Sequence, residues 1–146
     1  MILNYFQYQL HFKQPFAIAH GTRETTDAVY VELNHNGYCG YGEATFPPYL
    51  SETAASAVEF FRSINLTRFD SVFSANDYVH TVMPQNYGAK AALDMALLDI
   101  AAKQLNQPLY KFWQLPTHEF PPALYTIGMG TTQQIIEKVK GVNAEM

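Results

Sequence analysis

Asn36-Gly37 stands between two runs of strand-like alternation, Val29, Val31 and Leu33 before it and Tyr38-Cys-Gly-Tyr-Gly-Glu-Ala44 after it. Both residues of the pair tolerate the positive φ that a two-residue type I′ turn requires, so this stretch is expected to fold as a β-hairpin. Upstream, Phe6, Tyr8, Leu10 and Phe12 fall at every second position, the period of a half-buried strand, which Pro15 is expected to end. The polar stretch His20-Gly-Thr-Arg-Glu-Thr-Thr26 then leads into the second strand. The expectation is an antiparallel meander of three strands, closed by Pro47-Pro48.

From Ser51 the period changes. Ala54, Ala57, Val58 and Phe61 have helical spacing, with Ser51 as the expected cap. A shorter helix is expected from about Ala75 to Met83, stopped by Pro84. The clearest helix runs from about Ala89 to Leu105, with Ala92, Leu93, Ala96, Leu97, Ile100 and Ala101 on one apolar face rich in alanines that permit close packing. Leu109 to Leu115 suggests a last short helical segment, and Phe120-Pro-Pro122 reads as a linker.

Beyond the linker, Ala123-Leu-Tyr-Thr-Ile-Gly-Met129 is an apolar run of strand length, and Thr131 with Gln134 forms a capping box that starts a helix carrying Ile135, Ile136 and Val139. Strand followed by helix is the start of a β/α unit, and one such unit cannot close a sheet. Residues 123–146 are therefore expected to begin a larger, incomplete barrel, after a first domain over residues 1–122.

Composition narrows the function classes. With 146 residues, 48% of them hydrophobic, the chain can bury one core. Charged residues make up 15% and the net charge is -4, which gives no footprint for nucleic acid. Cys39, the single cysteine, has no partner for a disulfide or a paired-cysteine metal site, which fits a cytoplasmic setting. No apolar run approaches membrane-spanning length, and the N-terminus lacks the basic start and cleavage site of a secretory leader.

Three strings then carry a family resemblance. They are Pro15-Phe-Ala-Ile-Ala-His-Gly-Thr-Arg23; Gly40-Tyr-Gly-Glu-Ala44 with Pro47-Pro-Tyr49 and Glu52-Thr53; and Ala89-Lys-Ala-Ala-Leu-Asp-Met-Ala-Leu-Leu-Asp-Ile-Ala101 with Gln107-Pro-Leu-Tyr110. In order and spacing they resemble the first cap loop, the glycine-bearing strand with the second cap loop, and the long cap helix of the muconate-lactonizing subgroup of the enolase superfamily. That family implies an α+β fold: a three-stranded antiparallel meander and a helical bundle, followed by a (β/α) barrel of which this chain holds the first unit. Tyr125-Thr126 and the wording of the first loop look most like dipeptide epimerases of the L-Ala-D/L-Glu type. Where the family has Leu-Gly-Gly at the end of its bundle, this chain reads Gln114-Leu-Pro-Thr-His118.

The resemblance implies inversion at an α-carbon through an enediolate, with Mg2+ and acid/base lysines supplied by barrel strands beyond residue 146. It therefore assigns no catalytic residue and no metal ligand to this chain. The cap would close over a dipeptide and exclude water. Arg23 is the first candidate contact, because a guanidinium can fork onto the carboxylate of an acidic dipeptide. Counted back from the second strand, the family's arginine falls near Gly21, so Arg23 matches through a shifted loop or is a solvated loop arginine. His20 is its polar neighbour. Tyr49 could lay its ring on the substrate or pack on the cap, Thr126 could bind a carboxylate or ammonium or fill a strand, and Ile18 would line the pocket or pack on the meander. The barrel-facing surface, if exposed, would favour association, which is compatible with a homo-oligomer.

Several tempting groups are set aside. Lys138-Val-Lys140 imitates the family's lysine pair but lies in the helix begun at Thr131. Asp94 and Asp99, five apart, do not share a helix face and are expected to cap or pair, while Glu43 is expected to satisfy backbone donors. Gly40-Tyr-Gly42 lacks the third glycine of a dinucleotide fingerprint, and the histidines at 11, 20, 35, 80 and 118 show no metal-ligand spacing. Two rival readings are the cap of a muconate cycloisomerase or o-succinylbenzoate synthase, which would lack the Asp-x-Asp late in the epimerase barrel, and a non-catalytic remnant or binding module independent of magnesium.

Overall fold

The alternating segments form β1 (Ile2–Ile18), β2 (Gly21–His35) and β3 (Tyr38–Phe46) in the computed structural model, which describes residues 1–19, 21–116 and 121–145. The strands make one antiparallel sheet in the order β1-β2-β3. Asn36 and Gly37 carry φ values of 50° and 81°, as the tight turn demands. The register runs from His35 opposite Tyr38 to Asp27 opposite Phe46.

The first two strands are longer than expected. Pro15 lies inside β1, and most of the polar stretch after His20 belongs to β2. The sheet order explains the proline: β1 is an edge strand, where a residue without an N–H need not leave a neighbour unpaired.

The inner face of the sheet is apolar. Val29, Val31 and Leu33 are fully buried, with Ala44 and Phe46 beside them, against residues of three helices, among them Phe60, Val79, Leu93, Leu97 and Ile100. Helix α1 (Ala54–Ser63) starts two residues later than Ser51 would place its cap. Thr53 takes the position because its hydroxyl accepts from the Ser56 N–H at 3.1 Å while Ser56 Oγ accepts from the Thr53 N–H at 3.0 Å. Helix α2 (Val72–Thr81) begins earlier than the apolar spacing indicates, because Ser71 supplies its cap. Helices α3 (Tyr87–Gln104) and α4 (Leu109–Phe112) follow.

Against β3, α3 lies backbone to backbone. A Cβ at Gly42 would overlap the Ala92 carbonyl, and one at Gly40 would overlap the Ala96 carbonyl and Ile100. The two glycines of Gly40-Tyr-Gly42 therefore serve packing, and the alanine face of α3 meets a strand with no side chain at those positions.

Helix α5 (Thr132–Glu145) begins at the expected capping box: Gln134 Oε1 accepts from the Thr131 N–H at 2.8 Å, and Thr131 Oγ1 from the Gln134 N–H at 3.3 Å. Residues 123–129, expected as a strand, form none. Met129 donates its N–H to the Ala17 carbonyl at 2.8 Å, but a ladder needs a neighbouring strand over the segment's length. The chain divides into two compact units, Met1–Leu10 with Thr26–His118 and His11–Thr25 with Glu119–Met146.

Candidate functional site

In the second unit, the end of β1 and the start of β2 bring Ile18 and Arg23 to the tip of a long hairpin, in the unit that also holds Thr126. Arg23 is half-buried, and its guanidinium carbon sits 5.6 Å from the centre of the Phe12 ring, a cation–π distance. Its Nη1 is buried and has no hydrogen-bond acceptor among the described residues. Leaving a guanidinium nitrogen desolvated without an acceptor costs free energy. Ile18 is 39% exposed, and Thr126 is exposed. His20 and the turn residues Thr117 and His118 lie outside the described residues.

The same unit holds a half-open pocket of about 630 Å³, lined by Gln14, Pro15, Ala17, Tyr125, Met129, Gln134, Glu137, Lys138, Gly141 and Val142. Ile18, Arg23 and Thr126 are not among these residues. Tyr49, 74% exposed on the second loop, belongs to the first unit.

Of the groups set aside from the sequence, the acidic ones find structural partners. Lys138 and Lys140 sit on α5. Asp94 accepts from Asn76 at 2.7 Å and lies 3.6 Å from His80 Nε2. Asp99 pairs with Lys103 at 2.7 Å and accepts from the Tyr41 N–H at 3.1 Å. Glu43 departs from expectation: it accepts from the Tyr8 hydroxyl rather than from backbone donors, because Tyr8 reaches across the sheet face to it. Half-burial, together with that bond and the carboxylate charge, pushes the Tyr8 phenol up to about 12. No group of three metal-ligating side chains occurs among the described residues.

Two charged residues had no role in the sequence reading and hold backbone in place here. Glu52 receives the N–H groups of Tyr87 and Gly88 at 2.6 and 2.8 Å. Lys90, buried, donates to the carbonyls of Met83 and His80 at 2.7 and 3.3 Å. The proximity of Glu52 to the second loop was a signal, but its partners lie 35 and 36 residues away.

Residues 3–113 match the family described as mandelate racemase / muconate lactonizing enzyme, N-terminal domain. The chain is 39% identical over 143 residues to an L-Ala-D/L-Glu epimerase of Bacteroides thetaiotaomicron, covering 96% of this chain and 37% of that enzyme. A dipeptide epimerase from Enterococcus faecalis, solved with Mg and L-Leu-L-Tyr, superposes with a TM-score of 0.77 at 25% identity, covering 97% of this chain and 42% of that one. A dipeptide epimerase from Methylococcus capsulatus, solved with Mg and L-Arg-D-Lys, has the same fold over this region, with a TM-score of 0.82 at 22% identity and coverage of 98% and 42%. The chain thus spans about two fifths of the length of these relatives.

Proposed function

Because the chain belongs to the mandelate racemase / muconate lactonizing enzyme N-terminal domain family of the enolase superfamily, we propose that it is the substrate-capping part of a cytoplasmic dipeptide epimerase acting on L-Ala-D/L-Glu or a related dipeptide. The observation that carries this reading is the 39% identity to an L-Ala-D/L-Glu epimerase over nearly the whole chain. In this reading residues 1–122 are the cap and residues 123–146 the first strand and helix of a barrel, with the strand completed by neighbours from the rest of that barrel.

The reaction removes a weakly acidic α-proton and returns it to the opposite face, so an enediolate must be stabilised. Magnesium, where relatives carry it, supplies charge stabilisation at the substrate carboxylate. The described residues of this chain do not fit such a metal, since no three ligating side chains converge, and the cap's own part is binding, orientation and exclusion of water. Arg23, half-buried on the first loop, receives the side-chain carboxylate of the acidic dipeptide with its guanidinium. Tyr49 lays its ring on the substrate from the second loop, Thr126 binds a substrate carboxylate or ammonium, and His20 and Ile18 complete the first loop's contact.

A chimera of residues 1–122 with the barrel of the Bacteroides thetaiotaomicron enzyme tests this. With magnesium supplied, it is expected to exchange the glutamate α-hydrogen of L-Ala-L-Glu for deuterium in heavy water. R23A should raise KM for that substrate by about 10- to 100-fold, the worth of a lost charge-assisted contact, and change it little for a neutral dipeptide. Equal effects on acidic and neutral dipeptides would remove Arg23 from the role; a folded chimera without exchange would count against the epimerase reading.

A further inference from the structure

Helix α3 begins without a cap of its own. Asn86 stands at its N-cap in the left-handed region, φ 57°, and makes no side-chain bond to the first turn. Its Nδ2 turns back to the Pro84 carbonyl at 3.2 Å. The free N–H groups and the positive end of the helix dipole are met instead by Glu52, with Oε1 on Tyr87 and Oε2 on Gly88 at 2.6 and 2.8 Å. One half-buried carboxylate thus fills two donors that the helix leaves open.

What Glu52 grips is itself fixed. Met83, Gln85 and Asn86 all adopt positive φ, at 52°, 63° and 57°, a conformation that persists only where surrounding contacts impose it. The buried Lys90 supplies such contacts by holding the Met83 and His80 carbonyls. On the other side of Glu52 lies the second loop, residues 47–51, which runs from the buried Phe46 and carries the exposed Tyr49. Its own internal tie is the bond from the Leu50 N–H to the Pro47 carbonyl at 3.0 Å.

We propose that Glu52 is a positioning residue: by clamping the end of the second loop to the first turn of α3, it sets where that loop presents Tyr49. Only the statement of what Tyr49 faces rests on the epimerase reading; the clamp itself concerns this chain alone. The effect of Glu52 passes through the loop.

The test is NMR on the 146-residue chain and its E52A and E52Q variants, reading backbone order parameters and amide exchange residue by residue. In E52A the order parameters of Tyr49 and Leu50 are expected to fall below about 0.6, the range of flexible backbone. The amides of Tyr87 and Gly88 should exchange at least tenfold faster, with Val31, Leu33 and Leu97 unchanged. E52Q, which keeps one acceptor oxygen, should restore part of the loop order. Unchanged order at Tyr49 and Leu50 in E52A would overturn the proposal, and so would a uniform rise in exchange across the core, which marks a residue of general stability. No substrate enters this measurement, so its failure leaves the chimera result untouched, and the reverse holds too.

Discussion

Tyr8 shows how a single side chain couples this fold to pH. Half-burial first, then the bond to Glu43 and that carboxylate's charge, raise the phenol from about 10 to about 12. A raised acid favours the neutral form in the folded state, so its contribution is fully present below pH 10 and is lost as pH climbs through 12. Tyr41 moves the same way, to about 12, chiefly through the neighbouring Cys39 side chain. Y8F is therefore expected to lose less stability than the parent chain between pH 10 and 12, measured by urea unfolding across that interval. An identical loss in both would show that Tyr8 carries none of it. This pairing was hidden in the sequence. Alternation puts Tyr8, Tyr30 and Glu43 on one sheet face, but it cannot show that a ring on β1 reaches past β2 to a carboxylate on β3.

Elements whose signals are local were the legible ones. Asn36-Gly37 contains its own turn, and Thr131 with Gln134 contains its own cap, so both stand as read. Signals that depend on neighbours misled: Pro15 does not end β1 because the strand lies at the sheet edge, and residues 123–129 form no strand because a strand is defined by its partners. The β3–α3 contact falls between these cases, since the alanines announced close packing and the glycines opposite them did not. Because the obstacle at Gly42 is a helix carbonyl rather than a movable side chain, G42A is expected to destabilise by about 3 kcal/mol or more, the upper end for overpacking. Urea denaturation would check it, and a change under about 1 kcal/mol would mean that the helix can retreat.

For the whole molecule, the apolar core belongs to one unit. Its residues run from Val29 to Ala101, joined by Met1, Leu3 and Tyr5, and all lie within Met1–Leu10 and Thr26–His118. In the other unit Leu124 is 97% exposed, Tyr125 69% and Met129 61%. A chain shortened to residues 1–122 is therefore expected to melt cooperatively within a few degrees of the full one, followed by far-UV circular dichroism; loss of the transition would show that the core depends on residues 123–146. The family was legible from three strings spread along the chain, because they stamp the frame. The candidate contacts were less so: nothing in the polar stretch around Arg23 reveals that its Nη1 is buried without an acceptor among the described residues, because that depends on what packs around the hairpin.

The seam where Gly40 and Gly42 meet Ala92 and Ala96 also bears on how such a fold can diversify. The second loop can be rewritten one side chain at a time, since an exposed residue such as Tyr49 displaces little of the chain when it changes. At the seam no single replacement is neutral, because admitting one methyl group means moving a helix backbone and everything packed on it. A lineage built on this frame can change its exposed loops while the seam stays fixed.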